Sequence, residues 1–165
     1  MKKRIWMIAG ASNDHVAKIV RMARVAGDSV LVTGRDVLKL EALFGEDTAD
    51  FHVFQMDAAS EAQTDLAART CFFHFGKIDL LVDGATLQFE ENAEDYSEVE
   101  KVRYLQVNIA GGLNLLRATL PYMQSNGSII TCLPHPLLES YMARHTGIEF
   151  ISEYQRIDEV FAGVT

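Results

Sequence analysis

Short apolar runs alternate along this chain with stretches of helical periodicity, and that alternation constrains the fold more than any other feature. Ile5 to Ala9 is a compact apolar run, as a strand buried on both faces should be. Val16, Ile19, Val20 and Ala23 then recur at helical spacing, and the pattern stops at Gly27. Ser29 to Thr33 (SVLVT) reads as a second strand, and Val37, Leu40, Leu43 and Phe44 mark a second helix. Phe51 to Met56 is a third strand, followed by a helix marked by Ala62, Leu66 and Phe73 and closed by Gly76. Leu80-Leu81-Val82 is a fourth strand, and the acidic stretch from Phe89 to Asp95 reads as a loop. Tyr96, Val99 and Val102 open another helical segment. Ile109, Leu113, Leu116, Leu120 and Met123 continue it with steps of four and three, an amphipathic stripe. Ser128 to Leu133 (SIITCL) is a fifth strand, and Leu138, Tyr141, His145, Ile148 and Ile151 predict a long final helix.

Such a βαβαβ order implies an α/β fold, a doubly wound parallel sheet of about five strands with helices on both faces. The chain of 165 residues suits a single domain spanning 1–165. Ligands in such sheets bind at the carboxyl ends of the strands, near the point where strand order reverses. The loops to inspect are therefore 9–15, 33–36, 57–60, 83–88 and 133–138.

Charge and composition remove several function classes. The formal net charge is −8, which argues against nucleic acid or an anionic membrane as the main partner. Lys2-Lys3-Arg4 before an apolar run imitates a short signal peptide, but Ser12-Asn13-Asp14 follows at once, so a first strand is the better reading. No run approaches the roughly 18 apolar residues of a membrane helix. Cys71 and Cys132 lack metal-ligand spacing and read as reduced core thiols of a cytoplasmic protein. His15, His52, His74, His135 and His145 are scattered, and no metal site is expected.

The loops named above resemble those of the short-chain dehydrogenase/reductase family. Ala9-Gly10-Ala11-Ser12-Asn13-Asp14-His15-Val16 stands where the family has TGxxxGxG. VLVTGRDVLKLEAL resembles the family's second strand, cofactor-selecting turn and following helix. Met56-Asp57 matches the acidic residue that faces the adenine. Ile78-Asp79-Leu80-Leu81-Val82-Asp83-Gly84-Ala85 resembles DxLVNNAG with both asparagines replaced. VNIAGGLNLLRATLPYM resembles the helix with the family's catalytic asparagine, here Asn108, and Gly127-Ser128-Ile129-Ile130-Thr131 the strand leading to its catalytic serine. The resemblance implies a Rossmann-like sheet of strand order 3-2-1-4-5, lacking the family's last strands, and a cofactor that is NADP(H) if there is one. Gly10, Ser12, Asn13, Arg35, Asp57 and Ala85 are the positions it assigns to cofactor binding. Arg35 stands where NADP-preferring relatives place a base for the 2′-phosphate; it can equally be a solvated turn residue. Asp57 can equally cap a helix before Ala58-Ala59-Ser60, and Asp83-Gly84 can be a simple turn.

The departures fall on the chemistry. Pro134 stands at the family's serine and has no hydroxyl. YxxxK is best matched by Tyr141-Met142-Ala143-Arg144-His145; two residues four apart share a helix face, but a neutral histidine replaces the lysine. Tyr154 is an alternative, with Asp158 in the lysine position. Asn108, Tyr141 and His145 are thus the candidate catalytic residues, and Tyr141 also reads as a core or interface residue. Asp14 and Val16 replace two loop glycines. A carboxylate about 4 Å from a phosphate would cost on the order of 1 to 4 kcal/mol, and Val16 should push the first helix away from the first strand. Alternatively Ser12, Asn13 or Asp14 caps that helix directly, in place of a phosphate. The resemblance also implies a sixth strand, a substrate-covering segment and a seventh strand, for which no counterpart is read after the final helix.

Three functions compete at this stage. One is a binding or scaffold protein with a degenerate NADP(H)-type site and impaired catalysis. Another is an NADP(H)-dependent carbonyl reductase or alcohol dehydrogenase in which Tyr141 donates the proton, Asn108 supports a water relay and His145 replaces lysine. The third is a flavodoxin-like domain for another small ligand. Ending the sheet at SIITCL would leave an apolar edge strand, which predicts a homodimer or higher homo-oligomer through that edge or through the helices after Asn108 and Leu138.

Overall fold

A computed structural model describes residues 2–84, 96–131, 140, 147 and 149–151. Its strands and helices alternate as the sequence implies. The elements are β1 (Ile5–Ala9), α1 (Asp14–Val25), β2 (Ser29–Gly34), α2 (Val37–Phe44), β3 (Phe51–Gln55), α3 (Glu61–Phe75) and β4 (Ile78–Asp83). Then come α4 (Glu98–Leu105), a π-helical turn (Gln106–Ala110), α5 (Gly111–Thr119), a short 3₁₀ turn (Leu120–Tyr122), β5 (Met123–Thr131) and β6 (Glu149–Ile151). The sheet order is β3-β2-β1-β4-β5-β6, and every pairing is parallel. The five strands in order 3-2-1-4-5 expected from sequence are present, and the order reverses between β1 and β4, the switch point where such sheets bind ligands.

Side chains of β1 point alternately to the two faces, and each face has its own core. Trp6 and Ile8 join Val16, Ile19, Val20 and Ala23 of α1 and Leu40 and Phe44 of α2. Ile5, Met7 and Ala9 join Ala67, Ala68 and Cys71 of α3 and Leu115 and Leu116 of α5 on the other. Burial pushes the Cys71 thiol up to about 12, so it is a neutral core side chain at physiological pH; Cys132 lies outside the described residues.

The helices end where local chemistry stops them. Gly45 and Gly76 follow α2 and α3 with φ of 89° and 86°. Asp36, Ser60 and Ser97 cap the starts of α2, α3 and α4 by accepting a backbone N–H. At α4 the cap is reciprocal, because Glu100 also accepts the Ser97 N–H at 2.7 Å. That bond from the Ser97 backbone holds the Glu100 carboxyl below its ordinary pKa.

Three expectations need correction. The apolar residues that mark α3 in sequence are not its buried face: Leu66 is 52% exposed and Phe73 is 84% exposed. The face that packs carries Thr64, Ala67, Ala68 and Cys71. Small side chains let α3 lie close to the sheet and to the glycine-led α5, so proximity rather than bulk selects the contact face. The final helix does not run through Ile151, since Glu149–Ile151 forms β6, and Gly147 just before it has a φ of 86°, outside the helical region. SIITCL is therefore not the edge. Ser128, Ile129 and Ile130 of β5 pair with Glu149, Phe150 and Ile151.

The outer edge at β3 is also partly closed by its own chain. Thr48 N donates to Phe51 O at 2.8 Å, and Val53 N donates to the Asp47 carboxylate at 2.8 Å. Among the described residues no helix is long and apolar enough to cross a membrane.

Candidate functional site

The carboxyl ends of four strands line up as one row. Ala9 is opposite Thr33 and Asp83, and Asp83 is opposite Thr131. All four are buried, so they form the floor beneath the loops that follow β1 and β2.

The loop after β1 turns at Gly10, whose φ of 74° suits glycine and no bulkier residue. Gly10 N donates to Thr33 O at 3.2 Å, and Gly10 O accepts the Asn13 N–H at 3.2 Å. Asn13 is the N-cap of α1, its Oδ1 accepting the His15 amide at 2.9 Å. Among Ser12, Asn13 and Asp14, the three caps considered from sequence, Asn13 takes the role. Asp14 is the first residue of the helix and is exposed, where its charge favours the positive end of the helix dipole. Ser12 is exposed beside them.

Val16 is fully buried. The room for it comes from Gly84, at the end of β4, whose N–H donates to Ala9 O at 2.9 Å. A Cβ on Gly84 would meet Val16 Cγ2 at 2.4 Å and Ala9 O at 2.7 Å. The bulk gained at 16 and the side chain absent at 84 are thus complementary, and the expected cost of Val16 is answered across the sheet.

The remaining candidates sit around this centre. Arg35 is exposed after β2; its carbonyl accepts Gln55 Nε2 at 3.1 Å, and its guanidinium has no ion pair among the described residues. Asp57 is not the cap of α3, since Ser60 is. Its Oδ1 accepts the Ala59 N–H at 3.0 Å, its N–H reaches Gln63 Oε1 at 2.7 Å, and its Oδ2 lies 3.7 Å from Arg103 Nη2 on α4.

Asn108 lies in the π-helical turn and is 3% exposed. Such turns are often found at functional sites. Three residues on, a Cβ on Gly111 would lie 3.2 Å from the Ala58 Cβ. Asn114 Nδ2 donates to Ala58 O at 3.0 Å. These contacts fasten the segment that carries Asn108 to the residue following Asp57, at the carboxyl end of β3. Ala85, Tyr141 and His145, together with Pro134, Tyr154 and Asp158, lie outside the described residues.

Two features of this region were not legible in sequence. The Arg103–Asp57 ion pair joins residues with no spacing signal between them. The Val16–Gly84 fit depends on β1 and β4 being neighbours, which a single sequence shows only after the topology is known.

Comparison with known proteins follows the same outline. A family model described as short chain dehydrogenase matches residues 4–133. An uncharacterized oxidoreductase of Staphylococcus epidermidis is 29% identical over 132 residues, covering 79% of this chain and 57% of that relative. The D-beta-hydroxybutyrate dehydrogenase of Rhizobium meliloti is 25% identical over 174 residues, covering 96% of this chain and 67% of that relative. The alcohol dehydrogenase of the archaeon Thermococcus sibiricus, solved in complex with 5-hydroxy-NADP, superposes with a TM-score of 0.78 at 19% identity. It covers 92% of this chain and 75% of that structure. The chain spans a little over half the length of the staphylococcal relative it matches.

Proposed function

The chain belongs to the short-chain dehydrogenase family, and from that membership we propose that it is a binding or scaffold protein whose inherited dinucleotide cleft is filled by its own side chains. One observation carries this reading. The Asn13 carboxamide accepts a backbone N–H in the first turn of α1, the kind of donor that a pyrophosphate would otherwise meet. Asp14 adds a negative charge at the same place, and Val16 is seated against Gly84. These residues do not fit a pyrophosphate in the family's usual pose. Asp57 likewise has its oxygens directed at Ala59 and Arg103.

The proposed cofactor preference, should any dinucleotide be held, is NADP(H), from the exposed guanidinium of Arg35. The proposed assembly is a homodimer or higher homo-oligomer. With β6 covering β5, the exposed apolar side chains of α4, Val99 and Val102, are the described surface that supports it. The proposed setting is cytoplasmic.

The test is turnover. The purified chain, given NADPH and a panel of aldehydes and ketones, is expected to oxidise no NADPH above the rate in buffer. Carbonyl-dependent oxidation that disappears in Asn108→Ala would overturn the proposal.

A second reading is favoured by one observation, the buried Asn108 in its π-helical turn. In that reading the chain is an NADP(H)-dependent reductase, with Tyr141 as proton donor, Asn108 supporting a water and His145 in the lysine position. It predicts turnover lost in Tyr141→Phe.

A further inference from the structure

The amino ends of the strands, opposite the loop cluster, carry a second cleft with a volume of about 360 Å³. Four basic residues gather at it. Lys2, Lys3 and Arg4 enter from the N-terminal segment and Lys77 from the start of β4, against two lining carboxylates, Asp79 and Glu149.

The cations are not equivalent. Arg4 Nε is anchored at 3.0 Å by Asp28, a carboxylate only 5% exposed. Lys77 Nζ is held at 2.5 Å by Asp79, which also accepts the Ile5 N–H at 2.9 Å. Lys3 pairs with Asp50, and this pairing keeps the Asp50 carboxyl below its ordinary pKa. Lys2 has no ion pair among the described residues. Two positive side chains are therefore fixed in place beside a third whose charge is uncommitted.

The rest of the wall is hydrophilic. Asn126 and Ser128 of β5 offer an amide and a hydroxyl, and among the described residues Leu80 is the one apolar lining side chain. Glu149 is exposed, has no ion pair among the described residues, and faces the cleft as a hydrogen-bond acceptor.

We propose that this cleft binds a small phosphorylated polyol. The phosphate lies against Lys2, Arg4 and Lys77, and hydroxyl groups of the polyol donate to Glu149. Arg and Lys are the side chains that bind phosphate oxygens most strongly, and the volume lies within the ordinary range for small-molecule sites. The site is at the far end of the strands from the loop after β1, so it does not depend on the function proposed above.

The test titrates the chain with ribose 5-phosphate, inorganic phosphate and ribose, read by chemical-shift changes in NMR spectra. Ribose 5-phosphate is expected to bind saturably and most tightly, inorganic phosphate more weakly, and ribose not at all. Lys2→Ala/Asn126→Ala, at two exposed positions, should weaken ribose 5-phosphate by about tenfold or more, with an unchanged melting temperature. Glu149→Ala, which removes the acceptor for the hydroxyls, should lower the preference for ribose 5-phosphate over inorganic phosphate. Arg35→Ala, in the other cleft, should change neither. No saturable binding of ribose 5-phosphate would overturn the proposal. So would equal affinity for inorganic phosphate, or binding that survives Lys2→Ala/Asn126→Ala and is lost in Arg35→Ala.

Discussion

Val16 Cγ2 occupies the place that a side chain on Gly84 would need: a Cβ built there would lie 2.4 Å away. The two positions are 68 residues apart in sequence and meet because β1 and β4 are hydrogen-bonded neighbours. One end of the pair opens the first helix, and the other ends the strand beside the switch point. Their fit ties the packing of α1 beside the end of β4 to the stability of the fold.

Gly84→Ala should therefore destabilise the chain by about 1 to 3 kcal/mol, the usual cost of overpacking a filled core. Val16→Ala should recover part of that loss in the double variant, since Ala9 O remains close. Urea unfolding of the four proteins in the cycle measures the coupling, expected at about 0.5 to 3 kcal/mol. Strict additivity would show that the two side chains do not compete for one space.

Asn13→Ala removes the cap of α1 and should cost about 1 kcal/mol. Asn13→Asp should hold stability near that of the parent, because a carboxylate accepts the same His15 N–H. A loss in Asn13→Asp as large as in Asn13→Ala, by urea unfolding, would show that His15 N–H is not the bond that matters.

At the opposite end of the sheet, the buried Asp28 carboxylate accepts from Arg4 N, Arg4 Nε and Trp6 Nε1, the last at 2.8 Å. Asp28→Ala leaves the buried indole N–H and the half-buried guanidinium without this acceptor. The cost should be about 3 kcal/mol. Trp6 is the single tryptophan, so its fluorescence reports the site directly. An Asp28→Ala variant with the parent's unfolding midpoint and emission maximum would refute this account of the N-terminal end.

Cys71 sets a limit on stability at high pH. Burial raises the folded thiol from 9.0 to about 12, so above pH 9 the unfolded chain releases a proton that the folded chain retains. Stability from this group is complete below pH 9 and falls as pH rises from 9 to about 12, by about 1.4 kcal/mol per pH unit within that window. Cys71→Ala should remove that part of the slope, measured by urea midpoints at a series of alkaline pH values. Identical slopes for parent and variant would contradict it.

Much of the sheet was legible because β1, β2 and β4 are almost wholly buried and so read as largely apolar runs. Helix α1 was legible because Val16, Ile19, Val20 and Ala23 are both apolar and inward. Helix α3 was misread, since it packs through alanines and Cys71 while Leu66 and Phe73 face solvent. Strand β6 was hidden because three residues are too few to show a period of two, and Ile148 and Ile151 happened to continue a helical spacing. Only Gly147 hinted at the break. For the site, the residue types at positions 10–16 were readable, as was a cap among them. What they face was not: Gly84 looked like a turn, and Arg103 like one surface charge among many.

If the cleft is closed by residues 14 and 16, reopening it should be possible. Asp14→Gly/Val16→Gly is expected to bind NADPH at least about tenfold more tightly than the parent, measured by the fluorescence of the bound nucleotide. It should also lose stability from the space left beside Gly84. A stable double variant with unimproved affinity would mean that something other than these two side chains keeps the dinucleotide out.

The most direct measurement is the melting temperature of the unaltered chain in increasing NADPH. The account predicts no shift up to millimolar nucleotide. A saturable rise, reaching about 2.7 kcal/mol of added stability at 100 times the Kd, would contradict it.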